Sequence, residues 1–162
     1  MSVCSVNYWD RLKALKITSL ERRRERYMIF FLYKILIRKY PDPGLNIEAV
    51  DLGARLGVKV LPKLDLKAAD WVCNLRGASF FNKAPQLFNI LPAEIRHPKF
   101  FLDPTIKLME SFKKAVDRYL STVPDQPTTD NLPSSMRAAL TNSILFQDRY
   151  KVPPPDGSYV PE

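Results

Sequence analysis

Residues 18–40 read TSLERRRERYMIFFLYKILIRKY, and this stretch decides how the 162-residue chain is to be understood. Thr18 with Glu21 three positions on is a capping-box pattern, which predicts a helix start at Thr18. Pro41 biases Tyr40 away from helical backbone, and the PDPG that follows predicts a turn. Between these signals the apolar run Tyr27–Ile37 is broken only by Lys34. It is far short of the ~20 residues that span a bilayer, so the stretch predicts one long, buried, central helix and no membrane partner.

The same stretch holds most of the charge imbalance. Between Trp9 and Tyr40 there are ten basic residues against Asp10, Glu21 and Glu25, a net of +7 out of +8 for the whole chain. An acidic partner is expected to be met here. At 100° per residue, with Arg22 as zero, Arg23, Tyr27, Lys34 and Arg38 fall at about 100, 140, 120 and 160°. They form a polar stripe, with Met28, Ile29, Leu32, Ile35, Leu36 and Ile37 on the opposite arc. Arg22 and Arg26 lie near 0 and 40° and Arg24 near 200°, so the arginine cluster wraps more than half the helix. The stripe suits a nucleic-acid backbone, with Tyr27 able to stack. A plain solvated face, paired with Glu21 and Glu25 at i,i+3 and i,i+4, is the competing reading. Cations near a helix N-terminus oppose the macrodipole, so local stability does not explain their placement.

Outward from this helix, Tyr8, Trp9, Leu12 and Leu15 predict a short amphipathic helix over Ser5–Lys16. Ile47–Leu56 is read as a helix, Val58–Leu61 as a short strand, and Ser79–Asn82 as its pairing partner. Pro85 is placed in the first turn of a helix over Gln86–Leu91. The block Phe80, Phe81, Leu87, Phe88, Ile90, Leu91, Ile95 is read as core. Asp103-Pro104 predicts a capped start for a helix whose apolar face is Ile106, Met109, Phe112, Val116, Tyr119 and Leu120, ended by Pro124. The expected organisation is a helical domain over 1–123, a linker over 124–133, a weak helix over 134–150 and a disordered Pro-rich tail over 151–162. The fold class is mainly α, with a small β element.

No catalytic constellation is visible: no phosphate loop, no base beside a nucleophile, no spaced carboxylates for metals. Cys4 and Cys73 form no disulfide framework or ligand spacing, and His97 before Pro98 is read as a loop histidine. No cofactor, no metal and no enzymatic activity are expected. The start MSVCSVNYWDR has no apolar signal core, so an intracellular location, nucleus or cytoplasm, is expected.

Three blocks carry a family resemblance: YWDRLKALKITSLERRRERYMIFFLYKIL (8–36), SFFNKAPQLFNILPAEIR (79–96) and FKKAVDRYLSTVPDQP (112–127), with NSILFQ (142–147) trailing. In order and spacing they resemble the C-terminal part of LINE-type (non-LTR) retrotransposon reverse transcriptases. The resemblance implies thumb or post-thumb helices that hold RNA template and DNA primer, downstream of the polymerase palm and without its metal-binding aspartates. It makes Arg22, Arg23, Arg24 and Arg26 nucleic-acid contacts, beside Tyr27, Lys34 and Arg38 of the stripe. The expectation is a noncatalytic nucleic-acid-binding fragment of an RNA-directed DNA polymerase. The alternative is an interaction module, or a non-functional mobile-element remnant, whose long helix offers its apolar face to the rest of a reverse transcriptase or to another protein.

Overall fold

The computed structural model describes residues 7–41, 47–51, 53, 55–62, 79–102, 106–127 and 142–152. The protein is mainly helical with a two-stranded sheet. Its elements are α1 (Tyr8–Ala14), α2 (Leu20–Leu36), β1 (Ile47–Asp51), β2 (Val58–Pro62), α3 (Phe80–Asn89), α4 (Lys99–Leu102), α5 (Ile106–Thr122) and α6 (Ile144–Gln147), then a 3-10 turn at Asp148–Tyr150. The chain divides into two units, 1–24 with 122–162, and 25–121. The Pro-rich tail and the helix start at Asp103-Pro104 lie outside the described residues, as do Cys4, Cys73 and most of the expected linker.

In the first unit the cap of α2 is Ser19, one residue later than the sequence pattern predicts. Ser19 Oγ accepts from the Arg22 backbone N–H at 3.1 Å. The reciprocal half of a capping box comes not from Glu21 but from Asp125, whose Oδ2 accepts the Ser19 backbone N–H at 2.6 Å. Ser19 Oγ also donates to Asp125 Oδ1 at 2.6 Å. Asn142 Nδ2 donates to Ser19 Oγ and Asp125 Oδ1 at 2.6 and 2.7 Å. One donor and two lone pairs are all a hydroxyl has, so Ser19 is saturated. A carboxylate at the helix start also suits the macrodipole and answers the arginines crowded there. Asp125 belongs to VPDQP, read above as the start of a linker; its carboxylate instead organises this unit. The Val152 N–H donates to the Thr122 carbonyl at 2.9 Å, and Ile144 and Gln147 of α6 are buried.

Both early helices close in the same way. The Lys16 N–H donates to Lys13 O and the Ile17 N–H to Leu12 O; the Arg38 N–H donates to Ile35 O and the Lys39 N–H to Lys34 O. Each is a Schellman close, with Lys16 (φ 53°) and Arg38 (φ 57°) in the left-handed position where glycine is usual.

In the second unit α2 buries Ile29, Phe30, Leu32, Tyr33 and Ile35. Tyr33 stacks on Phe112 of α5, with centroids 3.9 Å apart and planes at 12°, and meets Phe101 of α4 edge-on at 5.5 Å. Its hydroxyl donates to the Phe100 carbonyl at 2.7 Å, satisfying the polar tip of a buried ring. Burial pushes the Tyr33 phenol up to about 12. Met109, Phe112, Val116, Tyr119 and Leu120 form the buried side of α5, as their spacing predicts, but Ile106 is exposed at its first position. Leu87, Phe88, Leu91 and Ile95 are core, whereas Phe81 is substantially exposed.

The middle of the chain corrects three expectations. Ile47–Asp51 is a strand, pairing antiparallel with β2 in the register Ala49 to Val60. Ser79 caps α3 and does not pair with β2. Pro85 sits at the sixth position of α3, beyond the first turn, where its missing N–H leaves one helical bond unmade. The outer edge of β2 is closed by side chains. Asn89 takes the Val60 N–H on Oδ1 and donates from Nδ2 to the Val60 carbonyl, both at 2.9 Å, in the manner of a paired strand residue. Arg96 donates to the Val58 carbonyl at 3.0 Å, while its own carbonyl accepts the Val58 N–H at 2.7 Å. A covered edge cannot recruit another strand.

Candidate nucleic-acid interface

The structure places the seven predicted contact residues in four different settings. Arg22 is 1% exposed. Its Nη1 donates to the Val123 carbonyl at 3.1 Å, and Nη2 donates to the Pro124 and Asn142 carbonyls at 2.7 and 3.3 Å. Its Nε lies 3.9 Å from Asp125 Oδ1. Arg22 is therefore corrected from a phosphate contact to an internal strut, because a guanidinium with these partners presents nothing to a polyanion.

Arg26 is corrected in part. It is half-buried and makes a bidentate pair with Asp117 of α5: Nε donates to Oδ1, and Nη2 donates to Oδ2 at 2.7 Å. This hydrogen bond, opposed by burial, raises the Arg26 pKa. The pair cancels the charge locally, so Arg26 offers a flat guanidinium and no net cation. The Arg26 Cζ lies 4.4 Å from the Phe30 ring centroid.

Arg23 and Arg24, described with the first unit, are exposed and carry no ion pair among the described residues. Arg38 is exposed, but α2 ends at Leu36 and Arg38 turns left-handed, so the helical angle that put it on the stripe does not apply. Glu25 is buried, and its carboxylate pairs with Lys83 Nζ of α3 at 3.0 Å.

Tyr27 and Lys34 meet in a surface groove of about 320 Å³, lined by Arg26, Tyr27, Phe30, Phe31, Lys34 and Lys113. Tyr27 is 63% exposed and Phe31 44%. Phe31 is held edge-on to Phe80 at 5.3 Å and tilted against Tyr40 at 5.6 Å. The Lys34 ammonium sits 5.2 Å from the Tyr40 centroid and has no ion pair among the described residues. Lys113 Nζ contacts Glu110 Oε1 at 2.8 Å in a surface i,i+3 pair, which holds the Glu110 carboxyl below its ordinary range. Such exposed pairs are weak and exchange readily.

Phe30, Phe31 and Lys113 escaped the sequence reading. The signal for the first two was present: by the same angular count Phe30 and Phe31 fall at about 80 and 180°, flanking Tyr27 and Lys34. The polar stripe takes only charged residues and a tyrosine, so two phenylalanines at these angles fall outside it. Lys113 comes from α5, and only tertiary packing brings it here.

Among the described residues no group of three or more His, Cys, Asp or Glu side chains is placed to hold a metal, and no helix is long and apolar enough to cross a membrane. His97 Nδ1 accepts the Lys99 N–H at 3.1 Å at the start of α4. No family model, no curated protein and no solved structure matches this chain.

Proposed function

We propose that the protein is a noncatalytic nucleic-acid-binding fragment of a LINE-type reverse transcriptase, gripping the primer–template backbone through α2. The observation that carries this reading is the set of cations without ion-pair partners among the described residues: exposed Arg23 and Arg24 in the first unit, and half-buried Lys34 and exposed Arg38, with the exposed ring of Tyr27, in the second. They lie in the most basic stretch of the chain, and core packing does not account for their charges. Further support comes from the resemblance of residues 8–36, 79–96, 112–127 and 142–147 to that family. Those stretches supply Ser19, Arg22, Asp125 and Asn142, which form one hydrogen-bonded cluster.

Four phosphate contacts give a slope of log affinity against log salt of roughly −3 to −4 on duplex. Titrating the protein against a primer–template duplex at several salt concentrations tests it. A slope in that range with little sequence preference supports the reading. Undetectable binding at low ionic strength, or binding indifferent to salt, overturns it.

A protein-interaction module is the second reading, and one observation favours it. Tyr8, Leu15, Ile17 and Leu20 are all about half exposed or more, and α1 buries none of its residues. This moves the apolar surface from the second half of α2, which is core, to the first unit. The partner would be the rest of a reverse transcriptase or another protein.

A further inference from the structure

We infer that the α2–α5 groove is a seat for one unpaired nucleotide, so that the protein distinguishes a single-stranded extension from a fully paired end. The inference rests on the nucleic-acid reading above and names which part of the ligand each group takes.

The groove is mixed in a specific way. Its aromatic surface is Tyr27, Phe30 and Phe31, and its cations are Lys34 and Lys113. Arg26 adds a planar guanidinium already compensated by Asp117. A nucleobase needs flat, apolar or π-rich surface; its phosphate needs a cation a few ångströms away. Backbone neutralisation alone needs only the cations and leaves exposed Tyr27 and Phe31 rings unexplained. A volume of about 320 Å³ lies at the lower end of small-ligand sites, which suits one nucleotide. Paired bases inside a duplex cannot reach such a groove, because their faces are stacked on one another and only their edges are open. An unpaired base presents its whole face, and stacking tolerates any sequence.

The ring positions are fixed before any ligand arrives. Phe31 is braced by Phe80 and Tyr40, and Lys34 is poised over Tyr40. Tyr27 is the most exposed of the lining rings, with the Arg26 guanidinium 5.8 Å from its centroid, and offers the most face to a base. Lys113 is held by Glu110, an exposed partner that a phosphate replaces at little cost. The occupant is thus a nucleotide within a strand, with its base between Tyr27 and Phe31 and its phosphate between Lys34 and Lys113.

The test compares the full chain on a blunt duplex and on the same duplex carrying a short single-stranded extension, at one fixed salt concentration. The extension is expected to tighten binding about tenfold, the effect of one stacked base. Tyr27→Ala brings the ratio of extended-duplex to blunt-duplex affinity down to about one, while Tyr27→Phe keeps the tenfold ratio; thermal melts of each variant report on folding. Blunt-duplex binding with no gain from the extension overturns this inference and leaves the backbone reading intact, as does a gain that survives Tyr27→Ala. Failure to bind either duplex overturns both.

Discussion

Asp125 accepts both the backbone N–H and the hydroxyl of Ser19, each at 2.6 Å, across 106 residues of chain. The start of the most basic helix is thereby closed by a carboxylate delivered from beyond α5. Replacing Asp125 with alanine removes three hydrogen bonds and the nearest anion to buried Arg22. Hydrogen bonds to charged groups contribute about 1.5–3 kcal/mol each, less where water can substitute, and Asp125 is partly exposed. Asp125→Ala is expected to cost about 2–4 kcal/mol, and Ser19→Ala, which loses the cap, about 1–2 kcal/mol. Urea unfolding of the two single variants and the double variant checks this. Because the two residues share the same bonds, the double variant is expected to fall short of the sum of the singles.

The reason this closure was half legible lies in the chain's own chemistry. Thr18, Ser19 and Glu21 announce a helix start, and the start is there, but local pattern cannot choose between adjacent hydroxyls when the deciding partner is Asp125. The stop of α2 differs for another reason: the helix ends at Leu36, ahead of the stop that Pro41 predicts. Lys16 and Arg38 hold the left-handed positions that glycine would have marked. In α5 the three- and four-residue spacing was clear because one face alone is buried. Ile47–Asp51, expected within a helix over Ile47–Leu56, is a strand because Gly53 and Gly57, both at positive φ, serve a connection between β1 and β2. Of the site, Tyr27 and Lys34 were visible by helical angle, while the retirement of Arg22 and the pairing of Arg26 needed Val123, Asp117 and Asn142.

The Arg26–Asp117 pair makes a directional prediction about charge. Asp117→Asn removes one negative charge beside the groove and releases Arg26 to act as a cation. If the groove meets phosphate, nucleic-acid affinity rises and the salt slope steepens by roughly 0.9, one further counterion released on duplex. Fold stability falls slightly, since the pair is only half-buried. Arg22→Ala is expected to behave oppositely: a clear loss of stability, from the buried carbonyls it leaves unpaired, with no change in salt slope among molecules that remain folded. Fluorescence anisotropy across salt concentrations, with thermal melts in parallel, separates these outcomes.

Two glycines in one connection are predicted to differ. Gly53 (φ +83°) has open space where a Cβ would stand, so Gly53→Ala carries backbone strain alone, about 1 kcal/mol. Gly57 (φ +70°) would place its Cβ 2.9 Å from Arg96 Cβ and 3.0 Å from the Ala93 carbonyl oxygen. Gly57→Ala must also push apart the backbone on which Arg96 closes the edge of β2. It is expected to cost at least about 2–3 kcal/mol, the sum of left-handed strain and overpacking. Denaturant midpoints for the two variants, measured side by side, check the ordering.

Tyr33 predicts how the fold responds to alkali. Its phenol is neutral when protonated, and burial pushes its pKa up to about 12 in the folded protein, against about 10 for an exposed tyrosine. A raised folded pKa means that the folded state binds the proton more tightly than the unfolded state. The stabilisation is therefore fully present below about pH 10 and is lost as pH rises from there through about 12. Tyr33→Phe removes this dependence. At neutral pH it also removes the 2.7 Å hydrogen bond to the Phe100 carbonyl, costing about 1–2 kcal/mol. The wild-type protein is thus expected to be the more stable of the two at pH 8, and the difference is expected to shrink steadily above pH 10. Urea midpoints of both proteins at intervals between pH 8 and 12 measure it. A difference that stays constant across that range would show that ionisation of Tyr33 is not coupled to unfolding.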